Sequence, residues 1–195
     1  MVGDAGIPVV DSTFLPSRAR ADIALIRSLT DKPVRYLVNT HWHMDHTSGN
    51  AVYADAFPGL TVVSQRATRG YMAFWDGRWP QVETLPGSET RKELKELEER
   101  LASGKDPEGA AIGAESQALL ERVIGQIRNE ISELGAFRPG PDPALVFDGD
   151  LALDLGRRRV ELRNRGRANS PADVTVFLPE ERVLFTGDIL VHPVP

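Results

Sequence analysis

Up to Trp75 the chain alternates short β-branched apolar runs with one-sided helical stripes. Ile7 to Val10, set between Gly6 and Asp11, and Val34 to Val38, after Pro33, both read as buried strands. Between them Ile23, Ile26 and Leu29 share one face, predicting a helix from Ser17 to Leu29 that ends at the turn Thr30-Asp31-Lys32-Pro33. A strand, a helix and a strand in this order close as a right-handed crossover onto parallel neighbours. The rhythm continues with a helix from Asn50 to Ala56, a strand from Leu60 to Val63 after Pro58-Gly59, and a helix from Gln65 to Trp75.

Residues 76 to 140 break that rhythm. Leu94, Leu97 and Leu101 mark one amphipathic helix, and Leu120, Ile124, Ile127, Ile131 and Leu134 a second. This is read as a helical insertion, with Tyr71, Trp75 and Trp79 near its start and Gly104 to Gly113 as its loosest stretch. The alternating charges of Glu89 to Arg100, with pairs such as Glu96 to Arg100, predict a solvated helix face. From Ala144 the period shortens to strands at Leu145 to Phe147, Leu151 to Leu153, Val160 to Leu162, Val174 to Leu178 and Val183 to Phe185, predicting a second, antiparallel-rich sheet. The Arg157-Arg158-Arg159 cluster falls at an exposed hairpin turn. The expected class is α/β (α+β), in one domain spanning residues 1 to 195.

Composition narrows the partners. The net charge of −5 is interleaved rather than blocked, so no basic stripe follows a phosphate backbone and nucleic acid is not expected. Neither a basic-then-apolar leader nor an apolar run of roughly 18 residues appears, so no membrane partner is expected. The expectation is a soluble chain, cytoplasmic, or periplasmic after loss of a leader. With no cysteine, any metal is held by nitrogen and oxygen of His, Asp and Glu.

Three of the four histidines lie between positions 41 and 46, directly after the strand Val34 to Val38. If the chain stays extended across Thr40 to His43, period-two alternation sets His41 and His43 on one side, where both reach one cation. A turn at Met44-Asp45 then carries Asp45 and His46 to a second cation nearby, a pairing that clamps attacking and leaving oxygens. Zinc suits these donors, and iron or manganese would also accept them.

Thr40-His41-Trp42-His43-Met44-Asp45-His46 resembles the signature of the metallo-β-lactamase superfamily, and Thr186-Gly187-Asp188 resembles its later metal-bridging aspartate. The resemblance implies a four-layer αββα sandwich. It also implies up to two zinc ions, with His41 and His43 on one, Asp45 and His46 on the other, and Asp188 bridging. Gly166 to Asp173 is similar to the segment that supplies a further histidine to the first ion, and Asn169 stands at that position. Asn169 is therefore a degenerate ligand position, because a neutral amide oxygen is a weaker ligand than imidazole. Relative to the family the chain is read as incomplete at the C-terminus, and His192 as a solvent-exposed terminal residue rather than the family's further ligand.

The chemistry so implied is hydrolysis of a small-molecule ester, thioester, lactone or β-lactam amide by a metal-bound hydroxide. Asp45 is the catalytic residue, both ligating and orienting. No Gly-x-Ser-x-Gly elbow competes. The rival readings are a metal-binding but inactive domain, motivated by Asn169, and a nuclease of the same superfamily, opposed by the acidic balance.

Overall fold

A computed structural model describes residues 3–75, 78 and 85–191. Trp79 and His192 lie outside these residues. The chain divides into two compact units, residues 1–76 with 138–195, and residues 77–137.

In the first unit, β1 (Ile7–Val10), β2 (Val34–Asn39), β3 (Thr61–Gln65) and β4 (Leu145–Phe147) form one all-parallel sheet in that order. Parallel strands need both faces covered, and β2 supplies both. Val38 faces inward with Val63 and Phe147, while Leu37 faces outward with Val62. The outward face is covered by α1 (Pro16–Leu29), through Ala19 and Ile23, and by α3 (Asn50–Ala56), through Tyr53. α2 (Met44–Thr47) is a single helical turn, and the start of α3 at Gly49 passes close to Ser12 and to Ala19 of α1. A Cβ there would stand 2.0 Å from the Ser12 carbonyl oxygen and 2.8 Å from the Ala19 methyl, so only glycine fits.

The second sheet is antiparallel, ordered β5 (Leu151–Asp154), β6 (Arg159–Asn164), β7 (Val174–Leu178) and β8 (Val183–Phe185). Leu153, Val160, Leu162, Val174, Val176 and Leu178 face the parallel sheet and fill the space against Val38, Val63 and Phe147. On the other face Arg163 lies over the Phe177 ring. The strand Leu145 to Phe147, expected in the antiparallel sheet, instead pairs in parallel with β3. A three-residue run carries too little pattern to choose its partner. The arginine cluster does sit at the β5–β6 turn, with Arg157 paired to Asp4, Arg158 to Glu181 and Arg159 to Glu161. α4 (Arg66–Trp75) follows β3 directly.

The second unit is a helical hairpin of α5 (Glu89–Ser103) and α6 (Ala114–Gly135). α6 buries Leu120, Ile124, Ile127, Ile131 and Leu134, whereas no residue of α5 is buried. Arg128 of α6 reaches Glu98 of α5 at 2.7 Å, and Lys95 and Glu99 form an i,i+4 pair. The expected loose stretch between the helices is a hydrogen-bonded turn, closed by Ile112 N–H to the Gly104 carbonyl and Asp106 N–H to the Ala110 carbonyl. No described helix is long and apolar enough to cross a membrane.

Candidate metal centre

The candidate residues lie at the carboxyl ends of β1 and β2, where open parallel sheets bind ligands. β2 stops at Asn39, so the strand expected through Thr40 to His43 is absent. A bend takes its place because His43 caps α2, and the helical turn Met44–Thr47 swings Asp45 and His46 back towards His41. The His41 and His43 rings nonetheless meet edge to face at 4.6 Å, and those of His41 and His46 at 4.2 Å. From the other sheet, the turn after β8 delivers Asp188, and the loop before β7 delivers Asn169.

Asp188 is central to the geometry. Its Oδ1 lies 3.2 Å from His46 Nε2 and its Oδ2 lies 3.6 Å from His41 Nε2. Asp45 Oδ2 lies 3.2 Å from His46 Nε2 on the open side. Ligand atoms of His41, His46 and Asp188 all fall within 4.8 Å of one another. Ligands held ~2.1 Å from a tetrahedral ion stand ~3.4 Å apart, so this set fits a divalent ion. Gly187 allows the approach: its φ is +52°, and a Cβ there would meet Thr40 Oγ1 at 2.8 Å.

Asp11 and Thr40 hold the imidazoles, and both were missed as site residues by the sequence reading. Asp11 accepts from Thr40 N–H and from Thr40 Oγ1, each at 2.8 Å, and from His46 Nδ1 at 2.8 Å. The Thr40 hydroxyl has one proton, which goes to this acceptor-only carboxylate, so His41 Nδ1, 3.1 Å away, must be the donor to Thr40 Oγ1. Both rings are thereby fixed with Nε2 turned to Asp188, the arrangement that orients metal-ligating histidines. Below them Ser12, Asn39 and Asn50 form a fully buried polar cluster, with Ser12 N–H and Asn39 Nδ2 donating to the His46 carbonyl and the Ser12 hydroxyl donating to Asn50 Oδ1 at 2.7 Å.

Charge follows from the same contacts. Burial, with the neighbouring His46 and His43, holds His41 below the ordinary histidine value, so it is neutral near pH 7 and has a lone pair to offer. Burial also pulls on His46, but its bonds to Asp11 and Asp45 outweigh this and raise it to about 10. The His46 contact lowers Asp45, keeping it ionised.

Asn169 sits among the candidate ligands: its Nδ2 lies 3.0 Å from Asp188 Oδ2, 3.2 Å from His43 Nδ1 and 3.4 Å from His41 Nε2. Its loop is tied by Asp173, which is buried and whose Oδ2 accepts from Ser170 N–H at 2.7 Å, Ser170 Oγ at 3.0 Å and Ala168 N–H at 3.3 Å. All six predicted positions, His41, His43, Asp45, His46, Asn169 and Asp188, therefore converge. The Ser-x-x-Asp spacing of this loop was a readable side-chain-to-backbone signal. Trp42, between the two histidines, stacks on Tyr71 and Trp75 of α4 at ring distances of 5.6 and 5.8 Å.

The family model of the metallo-β-lactamase superfamily matches residues 2–193, and the chain belongs to that superfamily. Its members are mostly hydrolases and typically bind metal ions, usually zinc. A linear primary-alkylsulfatase from a Pseudomonas species is 23% identical over 188 residues, covering 96% of this chain and 32% of that enzyme. The metallo-β-lactamase from Pontibacter korlensis matches with a TM-score of 0.56 at 17% identity, over 95% of this chain and 56% of its own. A double mutant of a sec-alkyl sulfatase, an enzyme from a Pseudomonas species, matches at 0.54 and 16% identity, over 96% and 27%. These likenesses carry the fold. The chain spans about a third of the first alkylsulfatase and about half of the β-lactamase.

Proposed function

We propose that the chain is the metal-binding part of a hydrolase that acts on a small-molecule ester, with thioesters, lactones and β-lactam amides as neighbouring substrate classes. The observation that carries this reading is the convergence of His41, His46 and Asp188, drawn from both sheets, with the ionised Asp45 beside them. The names of the relatives add sulfate esters to the candidates.

His41, His46 and Asp188 would hold the ion, with Asp45 at its margin. When bound, such an ion polarises the scissile bond and lowers the pKa of water to ~7. Asp11 fixes His46, and Thr40 fixes His41, so neither ring must reorient during turnover. Asp45, more than half exposed and ionised at neutral pH, is the group able to accept a proton from an attacking water.

The test is hydrolysis of chromogenic carboxylic, thio- and sulfate esters, a lactone and a chromogenic β-lactam, with and without chelator. Chelator-sensitive turnover of one class supports the reading and names the class; identical rates with and without metal across the panel refute it. A second reading is favoured by one observation: Asn169 at the position where the family places a histidine. In that reading the domain binds metal without turnover, and the outcome is zinc uptake with no hydrolysis of any panel member.

A further inference from the structure

We propose that Asn169 stands in for a cation, so that this chain takes one divalent ion, on the His46 side of the centre, and not two. The proposal rests on the metal-centre reading above and concerns how many ions the centre holds and where.

The amide nitrogen of Asn169 faces three atoms with lone pairs. Asp188 Oδ2, at 3.0 Å, accepts only, which settles that the NH₂ end points inward. His41 Nε2, at 3.4 Å, is also an acceptor, because the proton of that ring is on Nδ1 and donated to Thr40. His43 Nδ1, at 3.2 Å, completes the set. A donor group carrying partial positive charge thus lies among the atoms of His41, His43 and Asp188 that would otherwise share a cation. Turning the amide over would set its oxygen against the Asp188 carboxylate at the same short distance, which like partial charges oppose.

The amide is not free to withdraw. Ser170 and Ala168, on either side of it, both donate to the buried Asp173 carboxylate, and Ala168 N–H also donates to the Ser170 carbonyl. His46 is outside its reach and keeps Nε2 between Asp188 Oδ1 and Asp45 Oδ2, each at 3.2 Å. One ion shared by His41, His46 and Asp188 takes the His41 Nε2 lone pair in place of its long 3.4 Å contact with Asn169, and leaves Asn169 on His43 and on Asp188 Oδ2.

The experiment is zinc stoichiometry, by titration calorimetry and by metal analysis after dialysis, on the parent and on Asn169→His, His43→Ala and His46→Ala, with circular dichroism verifying each fold. The parent is expected to hold one ion per chain and Asn169→His two. On the parent background His46→Ala should weaken binding by more than about 100-fold, beyond the cost of losing an outer-shell partner, while His43→Ala leaves it within about 3-fold. Two ions in the parent, or equal losses in the two alanine variants, overturn the proposal while leaving the metal centre standing. A folded Asn169→His that still holds one ion also overturns it. A parent that takes no zinc overturns both. Should Asn169→His not fold, the two alanine variants still decide the location of the ion.

Discussion

The Asp11 carboxylate lies 2.8 Å from Nδ1 of His46, across 35 positions of sequence, and the same oxygen accepts the hydroxyl proton of Thr40. One carboxylate at the end of β1 thus fixes His46 directly and His41 through Thr40. Asp11 also has φ of +58°, a conformation that Asn tolerates. Asp11→Asn should therefore fold yet bind zinc about 10- to 100-fold more weakly, measured by competition with a chromophoric chelator. Unchanged affinity would mean that the contact does not orient the ring.

Thr40→Val keeps shape and removes the hydroxyl that links Asp11 to His41. The expected result is again a zinc affinity lower by about 10- to 100-fold. Gly187→Ala acts differently, because its methyl would press on Thr40 Oγ1 from a left-handed backbone. It should lower the melting temperature as well as zinc affinity, since an alanine there costs about 1 kcal/mol before the clash is counted.

His46 sets a pH dependence. In the metal-free protein its pKa is raised from 6.5 to about 10, through Asp11 and Asp45 against the pull of burial. A raised value means that the folded state holds the proton more tightly than the unfolded chain. This stabilisation is fully present below about 6.5 and is lost as pH rises through about 10. The melting temperature of metal-free protein should fall across that window, and zinc binding near pH 8 should release a proton, read as a dependence of the calorimetric heat on buffer ionisation enthalpy.

The interior between the sheets should behave as a packed core. Leu162, fully buried on β6, faces Val38 and Val63 of the opposite sheet, whereas Leu25 on α1 is 59% exposed. Leu162→Ala is expected to cost about 2–5 kcal/mol in denaturant unfolding. Leu25→Ala should stay within about 0.5 kcal/mol.

Much of this was legible in the sequence because it is written in local periods. The five apolar positions of α6 from Leu120 to Leu134, and the alternation within β7, each state which face is buried. That the six candidate positions come together was legible because four of them are nearly adjacent in sequence. What escaped is long-range. Asp11 reads as a turn residue after a strand until His46 is brought beside it, and β4 is too short to announce that its partner is β3. The strand expected across Thr40 to His43 failed for a physical reason: His43 starts a helical turn, and that turn, rather than strand alternation, gathers the imidazoles.

Hydrolysis is proposed to depend on the ion that His41, His46 and Asp188 would hold. The most direct measurement strips the protein with chelator, then titrates zinc while following bound metal and cleavage of the best panel substrate in the same samples. Rate and occupancy are expected to rise together and saturate at the same zinc-to-protein ratio. Full occupancy with cleavage no faster than in buffer containing zinc alone would contradict it.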